Sequence, residues 1–434
     1  MNCVTVIGAG LAGCEAAWTL TKLGFEVTLV EQRPQKHSPA HKTDNFAELV
    51  CSNSFKSNEI ASASGLLKAE MRRMGSLCLK IADKCAVGAG GALAVDRNLF
   101  SQGMTEAVRS NPNIKIELRE AENIDISVPT IVATGPLTDG KLAKNLFGLC
   151  GQDALSFYDA AAPIVTAASL DMTKVHAASR YGKGDPDYLN CYFNRTDYEK
   201  FREALGSAET ALAHDFDYNV YEGCMPIEKL AHRGVDAMRF GPMKPVGLIN
   251  PETGHRPWAA VQLRRENERG DLYNIVGFQT NLKFGEQKRV FSMIPGLENA
   301  EFARYGVMHR NSFVNAPQCL DGFLGINGCP MTLIAGQLSG VEGYMESAMC
   351  GMMAARFIAD RLYGRKSVLP PETTMTGALL RHLCGTTPNF QPMGANMGIL
   401  PPLDEQIKDK RKRYAALSSR ALDDLEVYLN ENNY

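Results

Sequence analysis

The chain has 434 residues, 45% of them hydrophobic and 22% charged, with a formal net charge of -2. This is the make-up of a globular protein with room for two or three domains, and it excludes a polycation, so any nucleic acid would have to meet a local basic patch. No run of roughly 18 or more apolar residues is free of charge and turn formers, so no membrane span is expected, and 12 cysteines with no C-x-x-C pair, no zinc spacing and no signal peptide read as reduced, cytosolic thiols.

The clearest element comes first. Val4 to Ile7 is an apolar run of the kind that forms a buried parallel strand. "GAGLAG" follows (Gly8, Ala9, Gly10, Leu11, Ala12, Gly13), then a helical stretch that Gly24 stops, then a second strand "EVTLVE". This is a βαβ unit with a dinucleotide fingerprint. Glu31 closes the second strand about 20 residues further on, where a ribose-binding carboxylate is expected. The glycines serve a tight turn, close approach of a pyrophosphate and close helix–strand contact, and the helix N-terminus favours the anion.

"AELVCSNS" (47 to 54) puts Cys51 at the mouth of a turn-forming run of small polar residues. Leu67, Met71, Met74, Cys78, Ile81 and Cys85 step by three and four, which predicts one helix over 64–85 with both later cysteines in the core. A glycine-rich loop (87 to 97), a helix (98 to 110), a strand (Ile114 to Leu118) and the buried strand "TIVATG" complete the first part. From about residue 160 strand-like pieces alternate with charged loops, the texture of a separate α+β lobe. Residues 332 to 362 return to a strand, a glycine turn and a long helix. A helix over 404–432 is expected to close the chain, with Ile407, Tyr414, Leu417, Ala421, Leu425 and Leu429 inward. The run Lys408, Lys410, Arg411, Lys412 and Arg413 stands at its start. The expected fold class is α/β: a Rossmann-like, glutathione-reductase-like dinucleotide-binding domain in two parts (1–160 and 306–366), interrupted by an inserted α+β lobe (161–305), with a helical segment at 367–434.

The return segment favours FAD over NAD, because FAD enzymes of this architecture complete an interrupted nucleotide fold with a late strand and helix. There is no second G-x-G-x-x-G for a separate NAD(P)H domain. Eight segments carry a more specific resemblance: "GAGLAGCEAAW", "AELVCSNS", "GLLKAEMRRMGSL", "GGALAVDR", "EGCMPIE", "FGPMKPVGL", "RYGVMHRN" and "GVEGYMESA". Through them the chain closely resembles the folate- and FAD-dependent tRNA uracil-5-methyltransferases along nearly its whole length. One departure is Cys329 in "DGFLGINGCPM", an extra cysteine with no role implied by the family.

The resemblance implies transfer of a one-carbon unit from 5,10-methylenetetrahydrofolate to carbon 5 of the T-loop uridine of tRNA. Reduced FAD, recharged by NAD(P)H, would complete the reduction to methyl. It also implies that Cys51 and Cys224 are the reactive thiols, that Tyr344 stacks near the flavin ring, and that Gly336 belongs to the flavin site. The chemistry is consistent with two thiols: one adds to carbon 6 of uracil to make carbon 5 nucleophilic, and one captures and releases the methylene. Nothing in the scheme calls for a metal. The basic run at 408–413 is either a tRNA phosphate contact or a solvated helix face. Three other readings stand beside it: the same chemistry on a ribosomal RNA uridine, a non-catalytic RNA-binding protein with structural FAD, and a general flavin oxidoreductase on a small molecule, which would leave two cysteines in separate motif-like contexts unexplained.

Overall fold

In the computed structural model, which describes residues 3–182, 185–211, 225–385 and 390–432, the first βαβ unit forms as read. Strand Cys3–Ile7 feeds helix Leu11–Lys22, and strand Glu26–Glu31 returns parallel to the first, with Ile7 opposite Val30. The helix ends because Gly24 takes a left-handed turn at φ 86, which lets the Phe25 N–H reach back to the Leu20 carbonyl at 3.1 Å.

Cys3–Ile7 lies inside a six-stranded sheet. Glu26–Glu31 and Ile114–Leu118 extend it on one side, Thr130–Val132 and Cys329–Ile334 on the other, all parallel. Gly325–Ile326 adds an antiparallel edge. The late strand thus docks beside Thr130–Val132, some two hundred residues earlier in the chain, with Leu333 opposite Ile131. Its helix, Tyr344–Leu362, lies against Leu11–Lys22 so closely that a methyl group on Gly351 would sit 2.1 Å from the Ala12 carbonyl oxygen. That glycine sets the helix separation. Each fully buried Leu, Phe or Met along these elements contributes roughly 1.5–3 kcal/mol.

A second six-stranded sheet is antiparallel throughout: Val175–Ala177, Tyr188–Phe193, Ala259–Arg265, Leu272–Ile275, Ile164–Thr166 and Phe302–Arg304 in spatial order. Alternation decides its two faces. Leu189, Cys191 and Phe193, with Val261 and Leu263, point into a separate apolar core. Tyr188, Asn190 and Tyr192, opposite Arg264, Gln262 and Ala260, take the other face. Smaller sheets pair Leu155–Ala160 with Met308–Phe313, and join Ser54–Ser57, Ala92–Val95 and Ala86–Val87.

Two helix predictions need correction. The segment 64–85 is two helices, Ala63–Arg73 and Leu77–Ala82. Gly75 turns left-handed at φ 81, and the Ser76 hydroxyl caps the second helix by accepting from Leu79 N–H. The three-and-four spacing runs across the break because Leu67, Met71, Met74, Cys78 and Ile81 still face one core, whereas Cys85 lies beyond the second helix and is only partly buried. The break also frees the N-terminus of the second helix for Glu15, which is fully buried and accepts from Leu77 N and Cys78 N at 2.8 Å each. The last helix spans Lys410–Glu431 and is capped by Asp409, so Lys408 precedes it. Leu417, Ala421, Leu425 and Leu429 are buried as expected, while Ile407 lies before the helix.

Candidate active site

A cavity opens at the carboxyl ends of the parallel strands, where open α/β sheets bind ligands. Gly8, Gly10, Leu11, Ala12 and Glu31 form one wall, and Gly336, Gln337 and Tyr344 from the return segment form another. The three fingerprint glycines do different things. Gly8 sits at φ +100 and a Cβ there would lie 2.6 Å from the Ala133 carbonyl oxygen. A Cβ on Gly13 would lie 1.7 Å from the Gly8 oxygen. Gly10 has nothing within 4 Å of a Cβ, so the space beside it belongs to the cavity. No side chain caps the helix that starts at Leu11, so its first N–H groups are open to an anion. Gly336, at φ +77, would bring a Cβ to 2.9 Å from Ala12 and so draws the two walls together.

Glu31 is 5% exposed yet borders this cavity. Its Oε2 accepts from Ala9 N–H at 2.8 Å, and its Oε1 from Arg33 N–H at 3.1 Å and Arg33 Nε at 2.9 Å. Burial works to raise this carboxyl, but the Arg33 guanidinium and the backbone N–H groups hold it below the ordinary glutamate value, so it is ionised. Arg33 Nη2 also donates to Oε2 at 3.3 Å, the longest of the four bonds to this carboxylate and the one a ribose hydroxyl would share or replace. An uncapped helix end, an open glycine and a fixed carboxylate are what a dinucleotide needs, so the residues fit FAD. Ala9 and Gly13 shape the wall from beneath without lining it. Among the described residues no group of three or more His, Cys, Asp and Glu could hold a metal ion.

Cys51 stands at the edge of this cavity, beside Val50 and Tyr344 in its wall. The Tyr344 hydroxyl accepts from the backbone N–H of Cys51 at 2.8 Å and of Ser52 at 3.2 Å, and donates to Cys51 Sγ at 3.2 Å. Tyr344 is therefore a clamp on the thiol as well as a cavity wall. Arginines hold the rest of the loop. Arg97 donates to the Leu49 carbonyl and Arg304 to the Val50 carbonyl. Arg264 donates from Nε to Asn53 Oδ1 and from Nη2 to Ser52 Oγ, each at 2.9 Å. Glu266 pairs with Arg97 at 2.9 Å. Arg264, Glu266 and Arg304 come from the second sheet or its margin, so that sheet grips the Cys51 loop directly.

Burial, and then the Asp159 carboxylate, push the Cys51 thiol up to about 11, against the pull of the Tyr344 hydroxyl and Arg97. The resting sulfur is a thiol. The hydroxyl donor and the Arg97 and Arg304 guanidiniums stand ready for the charge that appears when it ionises. Burial and Asp159 also push Glu342 up to about 8, so this carboxyl, which accepts from Gln337 Nε2 at 2.5 Å, holds a proton at neutral pH.

Cys224 lies outside the described residues. Cys329, in strand Cys329–Ile334, is half-buried. In the basic run Arg411 pairs with Glu59 at 3.1 Å, Arg413 donates to the Ile407 carbonyl at 3.3 Å, and Lys410 lies over the Tyr414 ring, while Lys408 and Lys412 are exposed. The sequence reading passed over Arg97, Arg264, Arg304, Glu266 and Glu342. Single arginines and glutamates in strands carry no pattern, although "GGALAVDR" and "RYGVMHRN" already held Arg97 and Arg304 among the quoted segments.

A family model described as glucose inhibited division protein A matches residues 3–366. The chain belongs to this family. It is 51% identical over 430 residues to "Methylenetetrahydrofolate--tRNA-(uracil-5-)-methyltransferase TrmFO" of Halalkalibacterium halodurans, covering 99% of each chain. It is 52% identical over 430 residues to the TrmFO of Acetivibrio thermocellus, again covering 99% of both. Among solved structures, GidA of Aquifex aeolicus superposes with a TM-score of 0.67 over 97% of this chain and 76% of that one, at 16% identity. That likeness is one of fold. The expected α/β flavoprotein-type architecture and the family assignment are both borne out.

Proposed function

We propose that this protein methylates carbon 5 of a tRNA uridine, taking the one-carbon unit from 5,10-methylenetetrahydrofolate in an FAD-dependent reaction. The names of relatives half identical over the full length support the reaction and the tRNA substrate. The observation that carries it to this chain is the clamped thiol at the edge of the dinucleotide-shaped cavity: Tyr344 Oη to Cys51 Sγ at 3.2 Å. FAD, when bound and reduced by NAD(P)H, supplies the two electrons that turn a methylene into a methyl group.

The chain's own residues do the rest. The open helix end at Leu11 and the room beside Gly10 receive the diphosphate, and Glu31 takes a ribose hydroxyl. Cys51 is the thiol on the cofactor side, where it captures and releases the methylene. Tyr344 orients its sulfur and shares its charge. Cys224, in the RNA-side lobe, is the nucleophile that adds to carbon 6 of the T-loop uracil, turning the ring into an enolate whose carbon 5 attacks the methylene. The C5 proton then leaves as Cys224 is expelled from carbon 6, and the Cys51 sulfur leaves the methylene carbon as a thiolate when that carbon is reduced to methyl. Lys408, just before the last helix, and Lys412, in its first turn, are exposed and contribute phosphate contacts.

The test is incubation with unmodified tRNA, labelled methylenetetrahydrofolate and NAD(P)H, with the position of new methyl groups mapped. Label at the T-loop uridine is expected, with none from S-adenosylmethionine. Cys51→Ala and Cys224→Ala are each expected to keep FAD and lose transfer. With tRNA carrying 5-fluorouridine, Cys51→Ala still forms a covalent adduct and Cys224→Ala does not. The opposite pattern reverses the two roles. Label appearing only in ribosomal RNA would redirect the substrate.

A further inference from the structure

The outer face of the second sheet carries an aromatic group that the reaction has not so far needed. Tyr181 is 62% exposed, and its backbone is held in the left-handed region at φ 60, ψ 19. That conformation is strained for a residue with a side chain, and such strain persists only where the surroundings enforce it. Here they do. Tyr181 N–H donates to the Gly247 carbonyl at 2.7 Å. A Cβ built on Gly247 would sit 3.0, 3.0 and 3.1 Å from three atoms of the Tyr181 ring. The ring therefore lies flat over Gly247. One face is covered by a glycine that has room for nothing else, and the opposite face is open.

Arg180 ties this ring to the active site. Its Nε donates to Gln262 Oε1 at 3.0 Å, and its Nη1 donates to the carbonyls of Lys244 at 2.7 Å and Val246 at 2.8 Å. Gln262 and Arg264 are two residues apart on one strand, so they share a face about 7 Å apart. Arg264 is the residue that holds Ser52 and Asn53 beside Cys51. The open ring thus stands on the same sheet face as the grip on the Cys51 loop. A cation suited to a phosphate stands close by: Lys244, whose carbonyl Arg180 holds, is exposed. Of the acids near Tyr181 in the chain, Asp185 is exposed and Asp187 accepts from Gly90 N–H at 2.7 Å.

We propose that Tyr181 is a stacking platform for an unpaired nucleobase of the substrate RNA loop, with Lys244 on an adjoining phosphate. This rests on the proposed RNA substrate and deepens it. A flat ring with one face fixed and one face open, beside a cation, is how proteins hold bases splayed from a single-stranded loop. The preset backbone means that little order has to be gained on binding.

The experiment uses the FAD-loaded full chain and a T-arm hairpin RNA carrying 2-aminopurine at one loop position at a time. Wild type is expected to quench the fluorescence at one position. Tyr181→Ala should lose that quench and weaken binding roughly 5- to 150-fold, the range for one stacked base. The slope of affinity against salt should stay as in wild type. Tyr181→Phe should restore quench and affinity, and Tyr181→Trp should match or exceed wild type. Lys244→Ala should instead flatten the salt slope by about 0.7 per lost phosphate and leave the quench in place. If Tyr181→Ala binds and quenches like wild type, the platform is wrong. If Tyr181→Ala fails to fold, a Tyr181→Phe or Tyr181→Trp protein that folds but has lost the quench overturns the platform equally. Failure of the proposed RNA substrate looks different: wild type itself then neither binds nor methylates the hairpin.

Discussion

The glycine cradle at Gly8–Gly13 and the Cys51 loop at Leu49–Asn53 lie side by side, but they are built in opposite ways. The cradle is made of backbone. Its shape follows from missing side chains, and its carboxylate bonds stay within the first 33 residues: Ala9 to Glu31, and Arg33 to Glu31. The loop is made by side chains that converge from four distant segments, at Arg97, Arg264, Arg304 and Tyr344. A structure of the first kind is damaged by adding atoms, and one of the second kind by removing them.

The sharpest test of that contrast is Gly13→Ala, whose methyl group would meet the Gly8 oxygen at 1.7 Å. Backbone cannot yield as a flexible side chain can, so a loss above about 3 kcal/mol in denaturant stability is expected, beyond the usual range for overpacking. Gly10→Val, with open space at its Cβ, should fold normally and lose bound flavin. Equal destabilisation by both would break the distinction. Next in size is Arg264→Met. It leaves Asn53 Oδ1 and Ser52 Oγ without their buried donor, a loss of roughly 1–3 kcal/mol. Methyl transfer should fall more than tenfold while flavin content holds. Loss of flavin alongside activity would mean that the loop and the cradle are one unit.

Tyr344→Phe removes a single oxygen and should cost about 1–2 kcal/mol, because two N–H groups lose their acceptor. Its sharper readout is alkylation of Cys51, followed by mass spectrometry. The wild-type rate should climb with pH toward about 11. The hydroxyl bond works to lower that value, so Tyr344→Phe should move the curve higher and slow alkylation at pH 8. A curve that moves lower would contradict the clamp.

The smallest effect concerns Glu342. Its folded value of about 8 lies above the ordinary 4.5, so the folded state holds this proton more tightly than the unfolded chain does. The stabilisation is complete below about 4.5 and is lost as pH rises through 8. Glu342→Gln cannot ionise, so its melting temperature should fall less than that of wild type between pH 5 and pH 9. Parallel melting curves for the two proteins would show that Glu342 is ionised throughout.

The sequence alone determined the cradle and the identity of the chemistry. Gly8, Gly10, Gly13 and Glu31 are legible because their bonds are local and each position tolerates very few residues. The long motif-like segments pointed to Cys51 by resemblance, and the late strand and helix at 332–362 announced themselves through hydrophobic runs around a glycine turn. The break at Gly75 escaped the periodicity because both short helices feed one core, and apolar spacing reports the core rather than the continuity of the helix. What holds Cys51 was decided only by the tertiary structure. Arg264 and Arg304 are ordinary strand residues until the second sheet folds against the loop. Tyr344 is read as a ring beside a flavin until its hydroxyl is found on a sulfur 293 residues away. Tyr181 becomes distinctive only when Gly247, far along the chain, lies beneath it. Local bonding leaves a pattern in sequence, whereas a side chain's partner across the fold leaves none, because many residues could supply the same contact and the chain path alone selects which one does.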